Sequence, residues 1–130
     1  MRTFSNNPLS IPTFSIDDIK DDSIPDKSVI EKLVGNMFLV ENGIYLEKIY
    51  DVKTFRGSII ERASPKAVEI ESFYISRYPV IQKEWTLIMG YDPSSYDVQD
   101  EDLPIFNVSY EECSRFIVKL NRITGLKFDL

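Results

Sequence analysis

The residues best suited to chemistry lie in one acidic stretch near position 100. Five carboxylates fall within eleven residues, with no lysine or arginine between them: Asp92, Asp97, Asp100, Glu101 and Asp102. Carboxylate oxygens at this density can ligate calcium, but the EF-hand pattern fails because no glycine lies at its sixth position and no spaced glutamate closes it. We therefore interpret the stretch as a solvated acidic loop. Its candidate calcium ligands are Asp97, Asp100 and Asp102, with an affinity in the millimolar range at best.

The other reactive side chains exclude most catalytic designs. The chain has no histidine, which removes Ser-His and Cys-His nucleophile pairs and every histidine-ligated zinc, copper or iron site. The single cysteine, Cys113, cannot form an intrachain disulfide, and its apolar helix-face neighbours predict a small buried core residue. Asn107-Val108-Ser109 matches an N-glycosylation sequon, although Ser109 is equally explained as a helix cap. We predict no catalytic residue and no cofactor.

The composition is that of one ordinary globular domain. Of 130 residues, 43% are hydrophobic and 28% are charged, and 15 basic against 21 acidic residues give a formal charge of −6. An acidic chain without a basic stripe is a poor partner for nucleic acid or an anionic membrane. No segment is apolar enough for a secretory signal or a membrane span, so the sequence predicts a cytoplasmic protein.

The first part of the chain is predicted to be a polar tail followed by a short helix. Residues 1 to about 26 hold three of the seven prolines and no sustained hydrophobic period, so we interpret them as a tail that stays mobile or folds over the body. Asp26 can cap a helix over residues 27–34, which Gly35 would end. The predicted boundary separates residues 1–35 from residues 36–130.

Strand patterns follow this helix. Apolar runs at 37–40 and 44–46 flank the turn residues 41–43, which predicts two extended segments. Between residues 66 and 78 the alternation changes phase at Ser72-Phe73, which indicates a bulge or bend between two short strands. We expect open strand edges near Val68–Ile75.

Two amphipathic helices are predicted in the second half. Over Ile81–Met89 the apolar residues recur at helical spacing, Trp85 is assigned to the core, and Gly90 supplies the stop. Ser109 and Glu112 form a capping box for the second helix. An apolar stripe follows, ended by Gly125, and it comprises Cys113, Phe116, Ile117, Leu120 and Ile123.

Several segments together resemble the formylglycine-generating enzyme, or sulfatase-modifying factor, family, which has a C-type-lectin-like fold. The residues that carry the resemblance are Phe73, Tyr74, Ile75, Tyr78, Val80, Trp85, Met89-Gly90, Pro104, Val108-Ser109, Leu120-Asn121 and Thr124-Gly125. The resemblance implies that residues 36–130 form the N-terminal half of such a domain. The expected fold is α+β: a truncated C-type-lectin-like arrangement of short twisted antiparallel strands with two amphipathic helices.

The resemblance also implies that catalysis is absent. The sequence ends at Leu130, where the second half of the family domain would begin, and that half carries the paired copper-binding cysteines. We therefore predict a non-catalytic binding or assembly module that acts through protein–protein contacts, with a protein partner or a homo-oligomer. Its working surface would be the apolar stripe of the second helix together with the strand edges. Two alternatives stay open: the N-terminal half of a split or truncated formylglycine-generating or oxidase-type enzyme, and a structural subunit of a large assembly such as a phage particle or secretion machine.

The missing half should leave part of the core uncovered. The chain is therefore not expected to work as a free monomer, since a domain of this size has only about 5–15 kcal/mol of net stability to lose. The alternative is that the N-terminal segment, with its short helix, folds back and covers the exposed part of the core. The replacement core would then comprise Ile11, Phe14, Ile16 and Ile30.

Overall fold

The described part of the chain is a mixed α+β structure with antiparallel strands and three α-helices. The computed structural model describes residues 1–3, 14–55, 58–93 and 100–130, and for residues 48–55 and 58–64 it describes the backbone alone. In chain order the elements are β1 (Arg2–Thr3), α1 (Lys27–Gly35), β2 (Met37–Val40), β3 (Gly43–Phe55), β4 (Ser58–Ile70), β5 (Phe73–Ser76), α2 (Gln82–Met89), α3 (Tyr110–Thr124) and β6 (Phe128–Asp129). A single 3-10 turn covers Ile16–Asp18.

Contacts divide the chain into two compact units. The first comprises Met1–Val40 and Phe73–Leu130, and the second comprises Glu41–Ser72. The predicted boundary between residues 35 and 36 does not coincide with this division, because α1 and β2 on either side of it belong to the same unit.

The helices begin and end close to where the sequence predicts, because local capping groups define their ends. The Asp26 carboxylate accepts from the Ser28 N–H at 3.1 Å and starts α1. Ser109 Oγ accepts from Glu112 N at 3.2 Å, while Glu112 Oε2 accepts from Ser109 N at 2.8 Å, which completes the predicted box at α3. The C-cap glycines of α2 and α3, at positions 90 and 125, have φ of 87° and 71°, the left-handed conformation that favours glycine.

One helix end differs from the prediction. Gly35 is the last residue of α1 rather than its stop, and the C-cap is Asn36 with φ −79°. Without a left-handed residue the chain passes directly into β2, whose first residue is Met37.

The extreme N-terminus is an interior strand and not a tail. The main sheet has the order β2-β5-β1-β6 with every pair antiparallel. Arg2 lies opposite Ile75 on one side and Asp129 on the other. The prediction of a tail is wrong for this segment, because two residues are too few to show a hydrophobic period.

The later part of the predicted tail folds over the body. Ile19 is buried in the core, and Phe14 is half-buried against it. Ile30, on α1, is completely buried, whereas Ile16 is exposed. The N-terminal segment therefore covers the core at Phe14 and Ile30, the prediction is wrong for Ile16, and Ile11 lies outside the described residues.

The core of the first unit lies between α2, α3, α1 and the main sheet. Trp85 and Phe116 stack with ring centroids 5.2 Å apart and an interplanar angle of 5°. The stripe of α3 is buried at Phe116, Ile117, Leu120 and Ile123, so the prediction that it forms the working surface is wrong there, while Cys113 is only half-buried. The prediction that Cys113 is a buried core residue is therefore correct only in part: its side chain packs against the core, but the first turn of α3 lies at the margin.

The second unit is a two-stranded ribbon. Strands β3 and β4 pair along thirteen residues each, from Gly43 opposite Ile70 to Phe55 opposite Ser58. Strand β4 ends at Ile70 and β5 begins at Phe73 in a different sheet, so the predicted break at Ser72-Phe73 is confirmed.

The expected open edge near Val68–Ile75 is correct only in part. Strand β5 pairs with β2 on one side and β1 on the other, so its edges are closed and the prediction is wrong there. Within the described ranges β4 pairs with β3 alone, which leaves an edge on that strand without a strand partner.

We predict that Leu120→Ala lowers the free energy of unfolding by about 2–5 kcal/mol, because this fully buried side chain would leave a cavity. The matched control is Val118→Ala on the same helix, where the side chain is 59% exposed and the change should stay within about 0.5 kcal/mol. Urea unfolding followed by circular dichroism measures both. Equal effects of the two substitutions would contradict the placement of the α3 stripe.

Candidate functional site

The described part of the acidic loop is held against the start of α2. Gln82 N donates to Leu103 O at 2.8 Å, and Lys83 N donates to Glu101 O at 3.0 Å. These bonds satisfy amide groups in the first turn of the helix that have no partner inside it. The loop backbone therefore caps α2, a role that the sequence pattern did not reveal.

The buried Gln82 side chain joins the same two elements. With its amide nitrogen turned towards the acceptors that face it, Nε2 donates to Asp100 O at 3.1 Å and to Asp92 Oδ2 at 3.2 Å. Glutamine is rarely this buried, and its burial is explained by these partners. Sequence reasoning missed Gln82 because it is polar and lies next to the apolar helical pattern rather than in it.

The three predicted calcium ligands are not seen together. Asp97 lies outside the described residues, while Asp100 Oδ1 accepts from Asp102 N at 3.1 Å in a local turn. Within residues 1–3, 14–55, 58–93 and 100–130, no group of three or more carboxylate, cysteine or histidine side chains is arranged to hold a metal ion. The affinity expected for this loop stays a prediction.

A cleft of about 760 Å³ opens beside this loop, lined by the start of α1, by α2 and by residues 100–101. Its charged lining comprises four carboxylates and one ammonium group: Asp26, Asp92, Asp100, Glu101 and Lys83. Of these, Asp26 caps α1, and Lys83 Nζ lies 3.7 Å from Glu101 Oε2. These polar groups have structural tasks, and their geometry does not pair a nucleophile with a base.

A carboxyl group is buried at the start of α2. Glu84 is 7% exposed, and its Oε2 accepts from Ile81 N at 3.0 Å. Burial raises the pKa of Glu84, and the Ile81 hydrogen bond and the charge of Lys32 oppose that rise without cancelling it. The position within one turn of the N-cap is the sequence signal that could have identified this group.

A hydrogen bond connects the segment after α2 to the start of α3. The Tyr91 hydroxyl donates to Glu112 Oε1 at 2.8 Å, and this bond raises the pKa of the Tyr91 phenol. Hydrogen bonds lower the pKa of Glu112. The largest effect comes from the Ser109 backbone N–H, followed by the Ser109 hydroxyl and then the Tyr91 hydroxyl. Glu112 therefore serves both the α3 cap and this connection, which is a structural role.

The most exposed aliphatic side chains of the described chain lie on the ribbon. Ile44 is 74% exposed and Leu46 is 72% exposed. They alternate along β3 and so point to one face, on which Leu46 lies opposite Ala67 of β4 and Ile44 lies opposite Glu69. We call this set (Ile44, Leu46 and Ala67) the ribbon face. The apolar run at 44–46 was predicted as a strand, but its exposure follows from having no second layer in its unit.

Comparisons with known proteins give one relative. Over 90 residues, 66% of this chain, the sequence is 32% identical to "Chaperone protein LppX" of Paenibacillus barcinonensis, and the match spans 28% of that protein. The chain therefore spans less than a third of the length of this relative. No family model matches the chain, and no solved structure matches it.

These comparisons correct the family resemblance. The assignment to the formylglycine-generating enzyme, or sulfatase-modifying factor, family is wrong, since no model of any family matches and the relative found has a different description. The structure explains the false signal: Met89-Gly90 and Thr124-Gly125 are helix ends, and Val108-Ser109 is a helix start. Such caps recur in unrelated α+β proteins for local reasons.

No helix within the described ranges is long and apolar enough to cross a membrane.

We predict that Glu84→Gln flattens the dependence of stability on pH. Because the folded pKa lies above the unfolded value, the native state takes up a proton first, and wild-type stability gains from Glu84 as pH falls through the folded pKa towards about 4.5. Gln removes this gain, while its amide oxygen can still accept from Ile81 N. The stability advantage of the variant over wild type should therefore be largest near pH 7 and shrink towards about pH 4.5, as measured by urea unfolding. An advantage that is constant with pH would contradict the burial of a titrating carboxyl here.

We also predict that calcium binds the acidic loop no more tightly than the millimolar range, since Asp100 is engaged in a local turn with Asp102 N. Calorimetric titration of the full chain is the measurement, and Asp100→Asn/Asp102→Asn is the comparison. Micromolar binding that disappears in this double variant would contradict the prediction.

Proposed function

We propose that the chain is a non-catalytic module that binds other polypeptides through the ribbon face. The observation that carries this proposal is the exposure of Ile44 and Leu46, two large aliphatic side chains adjacent on one face of a two-stranded unit. Exposed apolar surface of this kind marks sites of interaction with other proteins when it is grouped rather than scattered.

The expected strength of such a contact is modest. Burial of an aliphatic side chain by a partner contributes about 1.5–3 kcal/mol, so the two together contribute about 3–6 kcal/mol. A micromolar dissociation constant needs about 8 kcal/mol. The ribbon face therefore suits weak, reversible binding of apolar segments better than a permanent interface.

The relative supports the same class of function. Its printed name describes a chaperone, a protein that acts on other polypeptides, and the match covers 66% of this chain. The match covers only 28% of that protein, so chaperone activity comes to this chain as a proposal. The absence of histidine and the single cysteine in the sequence favour binding over catalysis.

Two finer assignments belong to this proposal. A C-type-lectin-like arrangement is favoured by the combination of a short-stranded antiparallel sheet with two amphipathic helices, α2 and α3. A cytoplasmic location remains the prediction from the sequence. A role as a structural subunit of an assembly would use the same protein–protein contacts and is tested below through self-association.

The test is suppression of the aggregation of insulin B chain, released by dithiothreitol and followed by light scattering. The reductant leaves this protein intact because its one cysteine has no disulfide. We expect the wild-type chain to lower the scattering and Ile44→Thr/Leu46→Thr to lose at least half of this effect. Threonine removes apolar surface while keeping good strand propensity.

The matched control is Tyr110→Thr/Val118→Thr, which removes exposed apolar side chains from α3 instead. This control should suppress aggregation as well as wild type does. A wild-type chain without effect, or equal losses in the two double variants, would refute binding at the ribbon face.

A further inference from the structure

We infer that β3 pairs through its outer edge with β3 of a second copy, antiparallel and centred on Tyr50. The product is a four-stranded sheet with the order β4-β3-β3-β4. This inference deepens the proposed function and rests on it in one respect: it identifies one of the polypeptides that the ribbon contacts as the same chain.

The ribbon lacks the structural support that isolated strand pairs need. An isolated two-stranded hairpin is at best marginally stable in water, whereas three or more strands or a packed helix can stabilise it. The second unit contains two strands, β3 and β4, and in the described ranges neither pairs with a third strand. The thirteen-residue length of each strand makes the unpaired edges long. Pairing between copies would double the number of strands.

The two edges of the ribbon are not equivalent. Strand β4 contains Pro65, which lies opposite Lys48 and has no backbone N–H to donate. Proline inside a strand is tolerated where its nitrogen faces away from the paired neighbour, and it interrupts that outer edge. Strand β3 has no proline, and its one glycine, Gly43, is its first residue. The outer edge of β3 can therefore donate and accept without interruption.

The charges along β3 select the register. If two copies pair antiparallel about Tyr50, Glu47 of one copy lies opposite Lys53 of the other, and the symmetry repeats the pair. Opposite charges directly across a strand pair are stabilising. The overlap runs from Tyr45 opposite Phe55 to Phe55 opposite Tyr45, eleven residues per strand.

Neighbouring registers are worse. Centring on Ile49 places Glu47 opposite Asp51, and centring on Lys48 or Asp51 places a charged residue opposite its own copy. Like charges directly opposite are destabilising. Centring on Val52 restores an opposite pair, Asp51 with Lys53, but shortens the overlap to the seven residues 49–55. Of the two registers that make favourable charge pairs, about Tyr50 and about Val52, the one about Tyr50 therefore has the longer overlap.

The same arrangement keeps the ribbon face available. Edge pairing uses backbone groups and leaves both faces of the sheet open, so Ile44 and Leu46 of each copy stay accessible. The self-association and the binding of other polypeptides are thus separable by mutation. Charged positions 47 and 53 control the first, and the ribbon face controls the second.

The first experiment measures the dimer by sedimentation equilibrium of the full chain at micromolar concentrations. We expect Lys53→Glu to weaken dimerisation at least tenfold, because both charge pairs become Glu–Glu pairs. Lys53 lies opposite Ile60 within the ribbon, so this substitution creates no like-charge pair there. The matched control is Glu69→Lys, a charge reversal on β4 opposite Ile44, which should leave the dimer unchanged.

A mixture tests the register itself. Glu47→Lys by itself should also fail to dimerise. Within its own ribbon this substitution also places a second positive charge opposite Lys66. Mixed with Lys53→Glu, it restores two opposite-charge pairs, and a heterodimer should form. Wild-type monomer at 100 micromolar, or a Lys53→Glu dimer within twofold of wild type, would overturn the inference. Loss in Lys53→Glu without recovery in the mixture would overturn the register about Tyr50.

A second experiment, disulfide cross-linking, leaves Glu47 and Lys53 unchanged. In a Cys113→Ser background, Tyr50→Cys should form a disulfide-linked dimer under mild oxidation, because directly opposite Cα atoms about 4.5–5.5 Å apart lie within disulfide range. Ile49→Cys and Asp51→Cys, each oxidised alone, are the controls, since their own copies lie diagonally at about 7–8 Å. Equal cross-linking at all three positions would refute the inference. The insulin B-chain assay on Lys53→Glu then shows separately whether polypeptide binding survives without the dimer.

Discussion

The stacking of Trp85 on Phe116 is the contact on which the first unit depends. It brings α2 and α3 together at a centroid distance of 5.2 Å, and both side chains are 2% exposed. Tyr91 meets the edge of the same indole at 6.4 Å and is hydrogen bonded to Glu112 at the start of α3. The segment that follows α2 is thereby tied to the helix that it precedes.

The C-terminal part of α3 is connected to the main sheet by hydrogen bonds between the Asn121 side chain and the backbone of Phe128. Asn121 accepts from Phe128 N at 2.7 Å and donates to Phe128 O at 3.1 Å, which positions β6. Strand β6 pairs with β1, and β1 with β5, so the N-terminal strand lies between the two parts of the sheet that come from the second half of the chain. Although β1 has only two residues, it pairs with both β5 and β6 and so provides hydrogen-bond partners for the backbone groups of both strands.

The two units differ in how they treat apolar side chains and strand edges. The first buries its apolar residues between helices and a sheet and closes both edges of β5. The second leaves Ile44 and Leu46 exposed on a ribbon whose strands pair only with each other in the described ranges. An exposed face and a long edge are costly for an isolated chain, and this is why we place protein–protein contacts in the ribbon rather than in the acidic cleft.

The failed family resemblance has a physical explanation in the same residues. The residues that carried it include helix caps such as Gly90 and Gly125 and core residues such as Trp85. Their spacing reflects the geometry of helix ends and the helical repeat, which unrelated chains share. Local consistency was sufficient to predict elements and insufficient to predict ancestry.

The sequence by itself determined the features that depend on neighbours along the chain. The bounds of α3 and its Ser109–Glu112 box follow from hydrogen bonds and periodicity within a few residues, and both are confirmed. Only the tertiary structure decided where distant segments meet. The insertion of Arg2–Thr3 between β5 and β6, the burial of Glu84 and the exposure of Ile44 depend on which surfaces cover them. No local pattern encodes that choice, because covering a strand or a side chain is a property of contacts between segments far apart in sequence.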